Sequence, residues 1–259
     1  MTDRVHLTLA RVASLELDHP PLNIVDGELL EDLEAAIAEL EVAPPGDVRA
    51  VVVSGHGERA FSVGSDVKEF EAHRASGRAE RFELEARIAQ RLAGLPMPTI
   101  AAIEASALGG GLELALCCDL RVASERAKLG LPEVRLAVIP STGGTQRLPR
   151  IIGIGRSKEL LLTGRVIDAA EALRIGLINE VVPAGRAVAR AREIGEEIAE
   201  GGPLAVRAVK ALVDGALDRP LADGHRAEVG ASVRIFATDD LLEGARSFVE
   251  KRPPTYHGR

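Results

Sequence analysis

Residues 4–17 alternate in polarity. Val5, Leu7 and Leu9, then Val12, Leu15 and Leu17, predict a hairpin over 4–17 that ends at Pro20–Pro21. Leu29, Leu30, Leu33, Ile37 and Leu40 recur at helical spacing behind Asp26, a suitable cap, and Pro44–Pro45–Gly46 stops that helix. Residues 48–54 (VRAVVVS) form an apolar, β-branched run, as in a strand covered on both faces. A polar helical stretch is expected from Asp66 to about Leu92, and a second buried strand over 99–103. Gly109–Gly110–Gly111 then opens a short, nearly all-apolar helix to Cys118, with a third strand over 120–123 and a loop over 139–144. From Gly155 the chain reads as helical, broken at 181–183, 201–203 and Pro220, and a last helix opens at Asp239 and ends near 251–254. Strand–helix units thus fill roughly 1–150 and helices the rest, an α/β core with a helical C-terminal part.

Composition narrows the classes. The 259 residues, 46% hydrophobic and 27% charged, can bury a full core without staples and are too apolar for disorder. With five Phe, one Tyr and no Trp, that core is aliphatic. The balance of 32 basic and 39 acidic side chains gives −7, which disfavours nucleic acid and anionic membrane surfaces, and the aromatics are too few for base stacking. The two cysteines, Cys117 and Cys118, are adjacent and poorly placed to bridge. They read as buried thiols in a reducing compartment, so a cytoplasmic location is expected. The N-terminus interleaves charges with apolar residues, unlike a signal peptide. The most apolar stretch, 99–118, contains Glu104, Glu113 and four Gly or Ser breakers, which argues against a membrane span. Dinucleotide, P-loop and zinc motifs are missing, so no metal or separate cofactor is expected.

Four features could carry chemistry. The turn Phe61–Ser62–Val63–Gly64–Ser65–Asp66 joins a buried strand to a predicted helix, where free amides could hold an anion or a developing oxyanion. The plain alternative is an ordinary turn capped by Asp66. Leu108–Gly109–Gly110–Gly111–Leu112 is a second such turn, and its glycines permit close backbone approach. Two converging amides would make an oxyanion hole, in which loss of one donor costs about 2.7–4 kcal/mol. Glu113 sits among apolar neighbours with no basic residue in its own helix, so it needs either a distant partner or a raised pKa. Glu133, in Leu131–Pro132–Glu133–Val134, reads by itself as a surface or capping carboxylate. Together the two carboxylates could serve as paired acid and base across a pocket.

The segments AFSVGSDVKEF (60–70), PTIAAIEASALGGGLELALCCDLRVAS (98–124), AKLGLPEVRLAVIPSTGGTQRLPR (127–150), LLTGRVIDAAEALRIGLINEVVP (161–183) and FATDDLLEGARSFVEKR (236–252) resemble the crotonase, or enoyl-CoA hydratase/isomerase, superfamily over nearly the whole chain. The resemblance implies a spiral of β-β-α units, here 1–190, followed by a helical trimerisation region, 191–259, and assembly as a homotrimer or homohexamer. It implies an acyl-CoA substrate, coenzyme A being part of that substrate, with the thioester carbonyl between the amides of Ser65 and Gly110. The catalytic glutamates fall on Glu113 and Glu133. Retention of both favours hydration of a 2-enoyl thioester over double-bond isomerisation, hydrolysis or decarboxylation. It also disfavours a non-catalytic acyl-CoA binder. Substrate contacts are expected from Ser62, Val63, Gly64, Asp66, Gly109, Pro132 and Ser141, and from Phe248 and Lys251 in the last helix, where the alternative for Lys251 is an ordinary helix-end lysine. Ser141 departs from the glycine of many hydratases and either narrows the pocket or offers a hydroxyl to the acyl group. RLPR and LAVIP resemble branched-chain members such as methylglutaconyl-CoA hydratases, with Arg147 and Arg150 in structural or intersubunit roles. Residues 67–95 are expected to form the pocket lid.

Overall fold

The computed structural model describes residues 3–70 and 79–259. Its N-terminal part repeats one pattern: a strand in a large sheet, a short strand in a second sheet, then a helix. The hairpin β1 (Val5–Thr8) and β2 (Val12–Leu17) forms as expected, with Val5 opposite Leu17. β3 (Ile24–Val25) follows, then α1 (Gly27–Glu41), whose first turn is capped by Asp26 accepting from the Leu29 amide at 2.9 Å. The next turn of the spiral is β4 (Ala50–Gly55), β5 (Ala60–Ser62), β6 (Gly64–Ser65) and α2 (Ala79–Ala93). After it come β7 (Thr99–Ile103), β8 (Ser106–Leu108) and α3 (Gly110–Cys117), then β9 (Leu120–Ser124) and β10 (Lys128–Gly130).

The large sheet has the order β1-β2-β4-β7-β9-β12, with β12 at Glu180–Val182, and is parallel from β2 onward. The second sheet runs β11-β10-β8-β5, with β11 at Ile167–Asp168, and β3 pairs with β6. Both faces of the large sheet are covered, which explains the unbroken apolar runs. Leu15, Val51, Val53, Ala101 and Ile103 join the main core, whereas Val12, Ala50, Val52, Ile100 and Ala102 pack against α7 (Ala187–Ala199). The expected boundary at 190/191 therefore falls inside a helix that completes the sheet's outer layer.

Around the site, α4 (Gly144–Ile152) and α5 (Ile154–Thr163) come before β11, and α6 (Ala169–Arg174) after it. The last helices are α8 (Pro203–Asp214), α9 (Leu221–Phe236) and α10 (Asp239–Glu250). Lys210 of α8 is ion-paired with Asp119, and the Asp240 carboxylate accepts from the His257 and Gly258 amides at 2.7 and 2.8 Å. Three expectations differ in detail. The stretch expected to be one helix from Asp66 is a short 3-10 turn at Val67–Glu69 followed by α2 from Ala79, and residues 71–78 lie outside the described residues. Helix α4, with Pro149 inside it and Gly153 after it, breaks the helical pattern in sequence and was not expected. Short strands of two or three residues, such as β6 and β10, are too brief to show a period.

Candidate active site

A cavity of about 710 Å³ opens between α2, the 3-10 turns and the loop 137–142, and it gathers residues from four separate segments. Ser65, Gly109, Gly110, Glu113 and Glu133 all line it. The two glycine turns meet there backbone to backbone. A Cβ on Gly64 would lie 2.7 Å from the Gly110 nitrogen, and Gly64 holds φ +80°, so no side chain fits at that point. Ser62 fixes the first turn from behind: its hydroxyl donates to the Asn23 carbonyl at 2.6 Å and accepts from the Gly64 amide at 3.1 Å. Asn23, fully buried, donates to the carbonyls of His56 and Ala60 and so ties the β4–β5 connection to β3. That anchor was not anticipated; a polar residue soon after Pro20–Pro21 gives little sign in sequence of being buried.

Glu113 stands in the first turn of α3, 2% exposed. Its Oε1 accepts from the amides of Thr142 (2.8 Å) and Gly144 (2.7 Å). Sequence left its partner open, and the structure supplies amides at the start of α4 rather than a cation. Burial raises the Glu113 pKa, the Gly144 and Thr142 amides oppose the rise, and the charge of Glu85 adds to it. Glu133 begins a 3-10 turn at Glu133–Leu136. Both its oxygens are shielded from solvent with no hydrogen-bond partner among the described residues. Burial pushes its pKa to about 7, and the charge of Glu113 contributes to the rise. The two acids share one chamber in different states of solvation. Gly109 (φ +52°) makes that possible, because a Cβ there would lie 3.3 Å from Glu133 Oε1.

Of the other expected contacts, Val63, Pro132 and Ser141 line the cavity. Ser62, Gly64 and Asp66 do not; Asp66 caps the 3-10 turn by accepting from the Lys68 amide at 2.9 Å. Phe248 and Lys251 are away from it, with Phe248 86% exposed. Part of the expected lid is in place: Val67, Phe70, Phe82 and Glu85 line the cavity, while 71–78 lie outside the described residues. Cys117 and Cys118 are buried free thiols, and burial pushes the Cys117 pKa up to about 11. Among the described residues no group of three or more His, Cys, Asp and Glu could hold a metal ion, and no helix is long and apolar enough to cross a membrane.

Residues 8–259 match the enoyl-CoA hydratase/isomerase family. The chain belongs to that family. It is 44% identical over 248 residues to the Bacillus subtilis protein YngF, which carries the same family description, with 95% of each chain covered. It is 40% identical over 241 residues to the mitochondrial methylglutaconyl-CoA hydratase of Mus musculus, covering 91% of this chain and 76% of the mouse protein. The crystal structure of enoyl-CoA hydratase from Bacillus anthracis superposes with a TM-score of 0.95 at 39% identity, covering 99% of this chain and all of the other. The spiral fold expected from the resemblance is therefore the observed one, and this family member is an enzyme of the crotonase type.

Proposed function

We propose that the chain hydrates 2-enoyl-CoA thioesters to 3-hydroxyacyl-CoA. The observation that carries this reading is the pairing of two unequally solvated carboxyls in one chamber beside two converging backbone turns. In the proposed reaction the thioester oxygen lies between the Ser65 and Gly110 amides, which take up the enolate charge. Glu113, whose carboxylate is supported by two amides, holds water and removes its proton as the oxygen attacks the β-carbon. Glu133, kept protonated toward neutrality by burial, delivers a proton to the α-carbon. The product has gained one water, Glu113 ends protonated and Glu133 ionised, and passage of that proton from Glu113 to Glu133 through water restores the starting pair. Metal and separate cofactor have no part in this scheme.

An isomerase on the same frame would move a proton between the α- and γ-carbons with one acid. Glu113→Gln and Glu133→Gln assayed on 2-enoyl and 3-enoyl thioesters separate the two, with loss of the conjugated thioester's ultraviolet absorbance reporting hydration. Comparable loss of hydration in both variants, about 10² to 10⁴-fold, supports the reading. Isomerisation that survives Glu113→Gln overturns it. The proposed assembly is a homotrimer, or trimers paired as a hexamer. Its support is the apolar face of α9, where Val229, Val233 and Phe236 are 65%, 67% and 73% exposed. In that assembly Phe248 and Lys251 would serve a site other than the cavity of their own chain.

A further inference from the structure

The catalytic cavity has a third carboxyl that the proposed hydration does not use. Glu85, on α2, is 6% exposed and lines the cavity together with Glu113, Ser141 and Thr142. It also lines a water-sized void of about 10 Å³ directly behind the turns that present Ser65 and Gly110. One oxygen accepts from Arg81 Nε at 2.7 Å. Arg81 itself points away, donating through Nη2 to the Val25 carbonyl at 3.0 Å, and lines neither space. The pair is therefore oriented, its negative end toward the cavity and its positive end toward β3, which pairs with the strand that holds Ser65. Phe82, one turn earlier on α2, and Leu136 and Ile139 add apolar lining to the same cavity. Among the described residues no Arg, Lys or His lines the cavity.

We propose that Glu85 selects against acyl groups that end in a carboxylate and restricts the chain to neutral, apolar 2-enoyl thioesters. The proposal rests on the acyl-CoA reading above, since the thioester must lie at Ser65 and Gly110 for the acyl tail to run along this wall. A terminal carboxylate held about 6–8 Å from Glu85 would, at an effective dielectric of about 20, be disfavoured by a factor on the order of thirty to one hundred. Arg81 behind Glu85 offsets part of that, so a preference of about tenfold or more is expected.

Pentanoyl-CoA and glutaryl-CoA have equal chain lengths and differ at the terminal group, methyl against carboxylate. Neither is hydrated, so calorimetric titration of the whole protein measures the preference without turnover. The expected result is at least about tenfold tighter binding of pentanoyl-CoA, narrowing severalfold in Glu85→Gln. The ratio of kcat/KM for 2-pentenoyl-CoA and glutaconyl-CoA should narrow in parallel. Because Glu85→Gln leaves Arg81 without its carboxylate, the double variant Arg81→Gln/Glu85→Gln, verified by thermal melting, provides a second version and should narrow the ratio as well. Equal binding of the two thioesters by the unmodified protein overturns the proposal, as does an unchanged ratio in both variants. A binding preference with no turnover of either enoyl substrate supports the proposal and overturns the hydratase reading; turnover of both without preference does the reverse.

Discussion

Replacing Glu133 by Gln should stabilise the fold, and only above a definite pH. Its carboxyl titrates near 7 in the folded chain because burial strips water from the charged form, against an ordinary value of 4.5. A group raised in this way favours the folded state fully at pH values below the unfolded pKa. The advantage is lost as pH climbs from about 4.5 through about 7, because the unfolded chain ionises first and binds fewer protons. The gap between the two values corresponds to about 3.4 kcal/mol at 1.36 kcal/mol per pH unit. The residue as a whole is only half-buried and lines the cavity, so relaxation of its surroundings on ionisation reduces this to about 1–2 kcal/mol. Glutamine keeps the shape and removes the ionisation. Urea unfolding at one fixed protein concentration should give equal stabilities for the two proteins near pH 4.5. The variant should lead by about 1–2 kcal/mol at pH 8.5, with most of the change between pH 5 and 7.5. A difference independent of pH, or a variant less stable at pH 8.5, would refute the reasoning, and neither result depends on any substrate.

The same group predicts the alkaline limb of the reaction. If Glu133 delivers the proton, kcat/KM for a 2-enoyl thioester falls as pH rises through about 7, tenfold per unit well beyond it; a profile flat from pH 6 to 9 excludes that role. Gly144→Ala places a Cβ 3.0 Å from Glu113 Oε1, Leu131 Cδ1 and Pro140 Cβ, so kcat should drop roughly tenfold to a hundredfold, as expected for a misplaced catalytic group, in a protein that still melts cooperatively. Gly109→Ala meets both a positive-φ backbone that side chains rarely adopt and Glu133 Oε1 at 3.3 Å, and should cost about 1–3 kcal/mol in urea unfolding. Phe236→Asp should reduce the sedimenting mass from that of the assembly to that of one chain, whereas an unmodified protein that already sediments as one chain removes the proposed trimer.

Much of the fold is legible in sequence, for physical reasons visible in particular elements. Strands β4 and β7 are covered on both faces and must be apolar throughout, so their runs stand out. Helix α1 pairs a capping carboxylate with a helical stripe of leucines. The strands β5, β6, β8 and β10 have no such signature, since each has two or three residues and takes its direction from neighbours distant in sequence. The site divides in the same way. Glu113 is conspicuous because an acid inside GGGLELALCC breaks an apolar run. Glu133 has no such contrast and looks like a capping residue; family resemblance singled it out, and the fold buries it. Glu85 lies in a polar amphipathic helix where another glutamate attracts no notice, yet the packing of α2 turns it inward against Arg81.

The glycines require a different reading from the acids. Gly64 and Gly110 approach so closely that a methyl group on the first would press on the nitrogen of the second, and a Cβ on Gly111 would collide with the Ser62 carbonyl. Packing alone therefore demands glycine at these turns, whether or not any ligand is bound, so their presence in the sequence is evidence for the spiral fold first. Their evidence for chemistry is indirect but real. A chain that brings two backbone turns into direct contact beside a cavity leaves amides there without room for side chains to cover them. In the proposed reaction the Ser65 and Gly110 amides turn that opening toward an acyl thioester oxygen. The glycines build the frame; in the proposed reaction the contrast between Glu113, held by two amides, and Glu133, without a partner among the described residues, is what assigns base and acid.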